Sequence, residues 1–422
     1  MQVIKEEGMS PVFSWCPTIE EGALEQMKVF ARLPYIKYCA LMPDAHFGQK
    51  NGMPVGGVVA CDNVVIPNGV GLDIGCGMGA LKTNLHKSEL EDKDIRKRLL
   101  HSFSRGVPVG FAHNSQKRIN ELSNKYGDKY DYIVSKTIEG DEYCKFDPIG
   151  GERKAFFSQL GTLGGGNHFL EVQYDEEDNV WIMIHSGSRN MGKRIGDYFN
   201  ALAADLTKKW HSICQDITFL PADSIEGTAY LGWMNFALRF AYLNRKVMLE
   251  EVKRCMEHEF PKIKFVTKEM FDGVKDDMIN IHHNFAVLEN HFGKNYWIHR
   301  KGATMARKGT IGIIPGSMGT NSYIVQGLGN QKSMMSCSHG AGRSMGRTAF
   351  NLKMKYSHAQ LEKELDHVVH SDFGTSDRGR DKGLLDVSEC PGAYKDIEDV
   401  MANQKDLVKP VAKLSPMLCL KG

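Results

Sequence analysis

Apolar residues recur at three- and four-residue spacing along residues 229–260, AYLGWMNFALRFAYLNRKVMLEEVKRCMEHEF. The pattern predicts one long helix whose methionines and aromatics belong to a core. The same period predicts helices over 19–32, 89–103, 194–212, 359–370 and 394–408. The first of these opens on a stretch of capping-box form, Thr18-Ile-Glu-Glu21. Between the helices lie β-type runs at 56–66, 178–186, 264–267, 295–299, 309–315 and 321–326, punctuated by Gly and Pro. Strands and helices do not alternate regularly, which disfavours a doubly wound parallel sheet. The expected class is α+β, with glycine-rich turns carrying the chemistry. No repeat, low-complexity tract or clear linker divides the chain, so residues 1–422 are expected to form a single large domain.

Composition narrows the class. The chain has 422 residues, 42% hydrophobic and 25% charged, which excludes a disordered chain, a collagen-like fibre and a membrane bundle. No run of apolar residues is long enough to span a bilayer, so no membrane association is expected. The N-terminus lacks a basic segment followed by an apolar one, so no secretory leader is expected. Ten cysteines without a Cys-x-x-Cys pair fit neither a disulfide scaffold nor a zinc ribbon. They suit a reducing compartment, and the cytoplasm is the expectation.

Charge changes the picture more. The net charge of +2 conceals a segment, 290–361, without a single Asp or Glu, where average composition would place about nine. It holds Lys294, Arg300, Lys301, Arg307, Lys308, Lys332, Arg343, Arg347, Lys353 and Lys355. Glycine-, serine- and threonine-rich turns such as GIIPGSMGTNS lie among them. Exposed backbone N–H groups beside fixed positive charge suit a polyanion or a nucleotide.

Three familiar motifs fail. GSRNMGKR (187–194) ends on Arg194 where a P-loop needs a hydroxyl for Mg²⁺. DIGCGMGA (73–80) has Gly-x-Gly spacing but no surrounding βαβ unit. KFDP (145–148) is the nearest approach to a Lys-x-Asp-Gly ligase signature, and its proline spoils it. More telling are Asp73 and Cys76 in GLDIGCGMG, His168 after GGGN, His185 at the end of WIMI, the pair at 282–283, and His339 in SCSHGAGR. A carboxylate, a thiolate and several imidazoles make a borderline site for Mn²⁺ or Zn²⁺, in which a thiolate can bridge two ions. His86, His101, His211, His258, His358, His367 and His370 lie in or beside helical patterns and are read as structural.

Nine motifs occur in order: MPDAHFGQKNGMPVGGV (42–58), VGLDIGCGM (70–78), GTLGGGNHFLEV (161–172), HSGSRNMG (185–192), HHN (282–284), RKGA (300–303), IIPGSMG (313–319), SCSHGAGR (336–343) and CLKG (419–422). Together they resemble the RtcB family of RNA ligases, from about residue 15 onward. The resemblance implies a single α+β domain with mixed and antiparallel sheets flanked by helices. It implies two Mn²⁺ ions, or Zn²⁺ or another divalent ion, held by Asp73, Cys76, His168, His185 and His283, with Cys76 shared. His339 would attack the α-phosphate of GTP and become guanylylated. Asn167, His168, Phe169, Leu170, Glu171, His283, Asn284, Pro315, Gly316, Ser317, Met318, Ser322, His339, Gly340, Ala341, Gly342 and Lys421 would surround the nucleotide, with Glu171 and Lys421 reading guanine. Arg189, Arg343 and Arg347 would meet RNA phosphates.

The activity so implied joins RNA 3′-phosphate or 2′,3′-cyclic phosphate ends to 5′-hydroxyl ends, in tRNA splicing or RNA repair. An archease-type activator is a possible partner under that resemblance. The polar segment from about 104 to 150 would shape the RNA groove, with no residue assigned. Two rivals stand beside the ligase. A metal-dependent phosphodiesterase or phosphatase would need neither His339 nor Lys421, and a non-catalytic RNA-binding module would not need Asp73 and Cys76 in a tight loop.

Overall fold

The computed structural model describes residues 1–136, 145–150, 153–209, 217–267, 278–354, 356–376 and 379–422. Two sheets dominate. The first runs in the order Gln2–Ile4, Val12–Ser14, Ile36–His46, Val55–Cys61, Lys294–Lys301, Asn284–His291. All its pairs are antiparallel except that between Val12–Ser14 and Ile36–His46. The second runs Ile279–His282, Gly77–His86, Asn179–Ser186, Phe169–Tyr174, Val408–Lys421, Ser322–Gly327, Ile311–Ile314, all antiparallel. Val369–His370 adds a short parallel pair to Val408–Lys421. With helices on these sheets, the α+β expectation holds.

The long helix forms where periodicity places it, over Ile225–Glu259, and Ser224 caps it by accepting from the Gly227 N–H. Trp233, Met234, Phe236, Ala237 and Phe240 enter a core with Phe156, Phe157 and Phe199. Further along, Met248, Leu249, Val252 and Met256 pack against sheet residues Leu81, Ile182 and Ile184.

Several boundaries differ from the sequence reading. The first helix spans Glu21–Ala31, and its N-cap, Glu20, makes no side-chain cap bond. Thr18 lies two residues before the cap position, and the Glu20 carboxylate accepts from the Phe47 N–H, 2.8 Å away, rather than from its own helix. The predicted 89–103 helix divides into a 3₁₀ turn, Lys87–Leu90, and a helix, Lys93–Gly106, restarted by the Asp92 cap. The 194–212 helix begins earlier, at Arg189, and is described to Lys209; its predicted last residues lie outside the described ones, as do Cys144 and Cys214. The 359–370 and 394–408 patterns yield the short helices His358–Glu364 and Ile397–Ala402. Phe265 in the 264–267 run forms an isolated bridge to Thr83 rather than a strand.

One glycine sets how closely the second sheet closes around the site. A Cβ at Gly77 would lie 1.9 Å from the Ile281 carbonyl oxygen. Glycine therefore lets the strand Ile279–His282 approach, and the His283 N–H then bonds the Cys76 carbonyl at 2.8 Å.

Candidate metal and nucleotide site

Four of the five predicted metal ligands meet where the strands of the second sheet end. Asp73 and Cys76 sit on the loop before Gly77–His86, and His185 is the next-to-last residue of Asn179–Ser186, in register with Met78 and Phe169. His168 immediately precedes Phe169–Tyr174. The Cys76 Sγ lies 3.2 Å from His185 Nε2 and 3.4 Å from His168 Nε2, and Asp73 Oδ2 lies 3.3 Å from His168 Nε2. The fifth, His283, completes the cluster with its Nε2 3.4 Å from His185 Nε2. Donor atoms of Cys76, His168 and His185 all fall within 4.8 Å of one another.

This arrangement fits a divalent cation. His185 Nδ1 donates to the Asn167 carbonyl at 3.1 Å, which leaves its Nε2 lone pair facing the cluster. Burial holds His185 and His283 well below the usual histidine range, so both are neutral, the form a metal ion requires. Burial and the Asp73 carboxylate push the Cys76 thiol up, and a bound cation would reverse that and yield the thiolate. In the absence of a cation, protons on sulfur and nitrogen would bridge these donor atoms as hydrogen bonds, and a divalent ion would replace those protons. The donor set of thiolate, imidazole and carboxylate suits a borderline first-row ion.

The ligand loops are tied to one step of the long helix. Arg245, fully buried, donates from Nη1 to the carbonyls of Gly75 (3.0 Å) and Ser186 (2.8 Å), and from Nε to Asn280 Oδ1 (2.7 Å). Asn244 accepts from the Gly161 N–H (2.7 Å) and donates to the Gly187 carbonyl (3.2 Å).

His339 faces the cluster from the other side, its ring 4.8 Å from that of His283. Its Nδ1 donates to Asp44 Oδ2 at 2.7 Å. That bond fixes the tautomer and leaves the Nε2 lone pair with no protein partner among the described residues. Burial works against ionisation of Asp44, yet its bond to His339 and the other groups facing it prevail and hold its carboxyl below the usual range.

A cavity of about 350 Å³ joins these groups. Its walls include Asp73, Cys76, Asn167, Phe169, Glu171, His185, His283, Asn284, Pro315 to Met318, His339 to Arg343, Arg347 and Lys421. Thus most residues expected around a nucleotide are brought together. Asn284 also works locally, donating to the Asp73 carbonyl (2.9 Å) and accepting from Gly302 N–H (2.7 Å). Leu170 is not brought there: strand alternation turns its side chain into the apolar core with Leu163 and Val172. Ser322 is buried behind the wall, accepting from the Gly316 N–H at 3.2 Å. His168 and Arg189 line an adjoining groove.

The expected guanine pair is arranged differently from a simple Glu–Lys couple. Burial pushes Glu171 up to about 7, while Lys421 Nζ binds Glu389 Oε2 at 2.7 Å. Arg343 and Arg347 also pair with Glu389, at 3.2 and 2.5 Å, and Arg343 donates to the Ser388 carbonyl at 2.7 Å. Both guanidiniums are therefore engaged by protein rather than free for a phosphate. Arg189, with φ of 59°, reaches Thr162 Oγ1 (3.2 Å) and the Gly110 carbonyl (3.3 Å), with Nη1 3.4 Å from His168 Nδ1.

Sequence reasoning missed Asp44, Glu389 and Tyr394, and counted Lys301 only as one cation of the basic segment. Tyr394 lines the cavity, donates to Glu389 Oε2 (2.6 Å) and lies under the Arg343 guanidinium. Lys301 also lines it; burial lowers its ammonium to about 8, and no carboxylate pairs with it among the described residues. Asp44 and Lys301 sit inside motif runs already singled out, so residue type within those runs was the available signal.

Fold and site define an α+β protein in which a cluster of thiol, imidazole and carboxylate groups faces an Asp–His pair across a shared cavity. The family described as tRNA-splicing ligase RtcB matches residues 26–422. The RNA-splicing ligase RtcB of Escherichia coli is 37% identical, covering 98% of each chain. The tRNA-splicing ligase RtcB of Methanococcus maripaludis is 33% identical over 96% of this chain and 92% of its own. This chain belongs to the RtcB family. Among the described residues no helix is long and apolar enough to cross a membrane.

Proposed function

We propose that the protein is a GTP-dependent RNA ligase that joins 3′-phosphate or 2′,3′-cyclic phosphate ends to 5′-hydroxyl ends through a guanylylated His339, in tRNA splicing or RNA repair. The observation that carries this reading is the Asp44–His339 pair, which aims a lone pair at a cavity shared with the metal-type cluster. A neutral imidazole is a competent nucleophile at neutral pH. His339 Nε2 forms a bond to the α-phosphorus of GTP, and the bond to pyrophosphate breaks. The 3′-phosphate of one RNA then takes the guanylyl group from His339 to give an RNA–ppG end. The 5′-hydroxyl of the second RNA attacks that end, and GMP leaves.

Asp73, Cys76, His168, His185 and His283 would hold two Mn²⁺ ions, with Zn²⁺ or another divalent ion as the alternative occupant. Bound there, the metal supplies Lewis-acid stabilisation of charge on phosphate oxygens. Asp44 keeps His339 in the reactive tautomer. The turn Pro315–Met318 and the backbone of Gly340–Gly342 offer N–H groups to phosphates. Glu171 offers acceptors to guanine N1 and N2, which favours GTP over ATP. Arg189, Arg343 and Arg347 would meet RNA phosphates, which must compete with Glu389 for the last two. An archease-type activator is a compatible partner, and the cytoplasm a compatible compartment.

The test is incubation with α-labelled GTP and MnCl₂, followed by a search for an acid-labile, alkali-stable adduct. The wild type labels; His339→Ala and Cys76→Ala do not. A His339→Ala variant that still labels removes the covalent reading. A hydrolase acting on RNA ends would release phosphate without labelling and without joining.

A further inference from the structure

Phe111 is the most exposed large apolar side chain among the described residues, 95% accessible, and lies in the segment where sequence reading assigned nothing. It is not on a loose loop. The turn that carries it is fixed on both sides: Leu163 N–H to the Pro108 carbonyl (2.8 Å), Gly110 N–H to the Gly164 carbonyl (2.9 Å), and buried Asn114 donating to the carbonyls of Phe157 (2.9 Å) and Leu160 (2.7 Å). Gly110, at φ +61°, makes the bend. Exposure of one ring is ordinary, but this turn holds the ring at a fixed place beside the site, where a flat apolar face can cover it.

The place of the turn says what that occupant is. Phe111 lines a groove of about 1040 Å³ that shares Asp73, Asn167 and Lys421 with the site cavity. One guanidinium, that of Arg189, touches both the Gly110 carbonyl and His168. Phe111 thus stands one side chain away from the cluster. The groove carries the acids Asp372, Asp386 and Glu389 as well as cations, so its Phe111 wall suits an uncharged planar group better than a phosphate.

We infer that Phe111 is a stacking platform for the nucleobase next to the reacting end of an RNA strand, a role that rests on the ligase reading. Every base offers a π-face, so the platform tolerates any sequence.

The test compares wild type with Phe111→Ala, Phe111→Leu and Phe111→Trp. Joining of a 3′-phosphate RNA to a 5′-hydroxyl RNA is measured with base-free sugars placed singly near each end. Anisotropy of a labelled 3′-phosphate RNA reports binding alone. Phe111→Ala and Phe111→Leu are expected to raise the RNA KM and Kd about tenfold, the size of one stack, with kcat nearly unchanged. Phe111→Trp keeps wild-type values. One base-free position weakens the wild type to the same extent and leaves Phe111→Ala unaffected, and that position identifies the strand. Unchanged RNA affinity in Phe111→Ala, or equal sensitivity of both proteins to every base-free position, overturns the inference. His339 labelling by GTP without RNA stays intact in all three variants. Failure of the wild type to label or join sinks the ligase reading instead, and the anisotropy arm still decides the role of Phe111.

Discussion

Asp44 Oδ2 takes three hydrogen bonds from one neighbouring turn: from His339 Nδ1 at 2.7 Å, from the His339 N–H at 3.1 Å and from the Gly340 N–H at 3.3 Å. The carboxylate therefore sets both the ring tautomer and the path of the backbone that carries it. Asp44→Asn keeps the shape but can present an N–H to the ring, which favours the unreactive tautomer. Guanylylation of His339 is expected to fall by about 100-fold or more, and the thermal midpoint falls with it, because an amide N–H in that place cannot accept the two backbone bonds. Rapid-quench labelling with GTP measures it, and near-normal labelling would refute the tautomer role.

Arg245 and Asn244 hold the ligand loops from behind, without touching the cavity. Arg245→Lys retains charge but cannot reach the Gly75 and Ser186 carbonyls together. We expect Mn²⁺ affinity to fall by roughly 10–100-fold, read by calorimetric titration of the metal alone. Arg245→Met is expected to lose more, because the Ser186 carbonyl and Asn280 Oδ1 then lose the guanidinium as donor, while Gly75 keeps only His282. Equal metal affinity in wild type and both variants would argue that the loops hold themselves.

Glu171 carries a pH signature. Burial raises its folded-state value to about 7, above that of an unfolded glutamate. The folded state thus holds the proton more tightly, so its advantage is complete below about pH 4.5 and is lost as pH rises to about 7. That loss is on the order of 3 kcal/mol. Glu171→Gln should raise the melting temperature of the metal-free protein at pH 8 and leave it nearly unchanged at pH 5. A variant less stable at pH 8 would contradict the burial cost.

Glu289 shows the opposite sign. Burial alone would raise it, but His291 (2.8 Å) and Arg300 (2.8 Å) hold its carboxyl at about 2. The stability it contributes is present above about pH 4.5 and is lost as pH falls toward 2. Glu289→Gln leaves Arg300, which is wholly buried, with an uncompensated charge and should cost about 3–5 kcal/mol near neutrality. Urea unfolding at pH 7 and pH 3 measures both effects, and the difference between variant and wild type must shrink at the lower pH.

Much of this site was legible because its chemistry is concentrated in short glycine-rich runs: Asp73 and Cys76 in one, His168 in another, His339 in a third. Asp44 was not, although it lies in a quoted motif, because its partner is 295 residues away. The acid-free segment teaches a similar lesson. Its charge was correctly counted, but its cations do not form a bare surface. Arg300 and Arg307 meet Glu289, Lys294 meets Asp62, and Arg343 and Arg347 meet Glu389, all acids outside the segment. Composition along the chain cannot show pairing between distant stretches. Strands such as Gly77–His86 and Phe169–Tyr174 escaped because residues buried on both faces leave no alternation to read. The helix Gln116–Ser135 escaped because it is mostly polar.

The strand Val408–Lys421 lies inside the second sheet, between Phe169–Tyr174 and Ser322–Gly327, although it is made after both. While a ribosome is still producing this stretch, those two neighbours present bare hydrogen-bonding edges. The sheet cannot close, and Lys421 cannot reach Glu389, until translation has passed residue 421. The newborn chain is therefore exposed to mispairing until this strand emerges, and chaperone capture of ribosome-bound chains should persist until then.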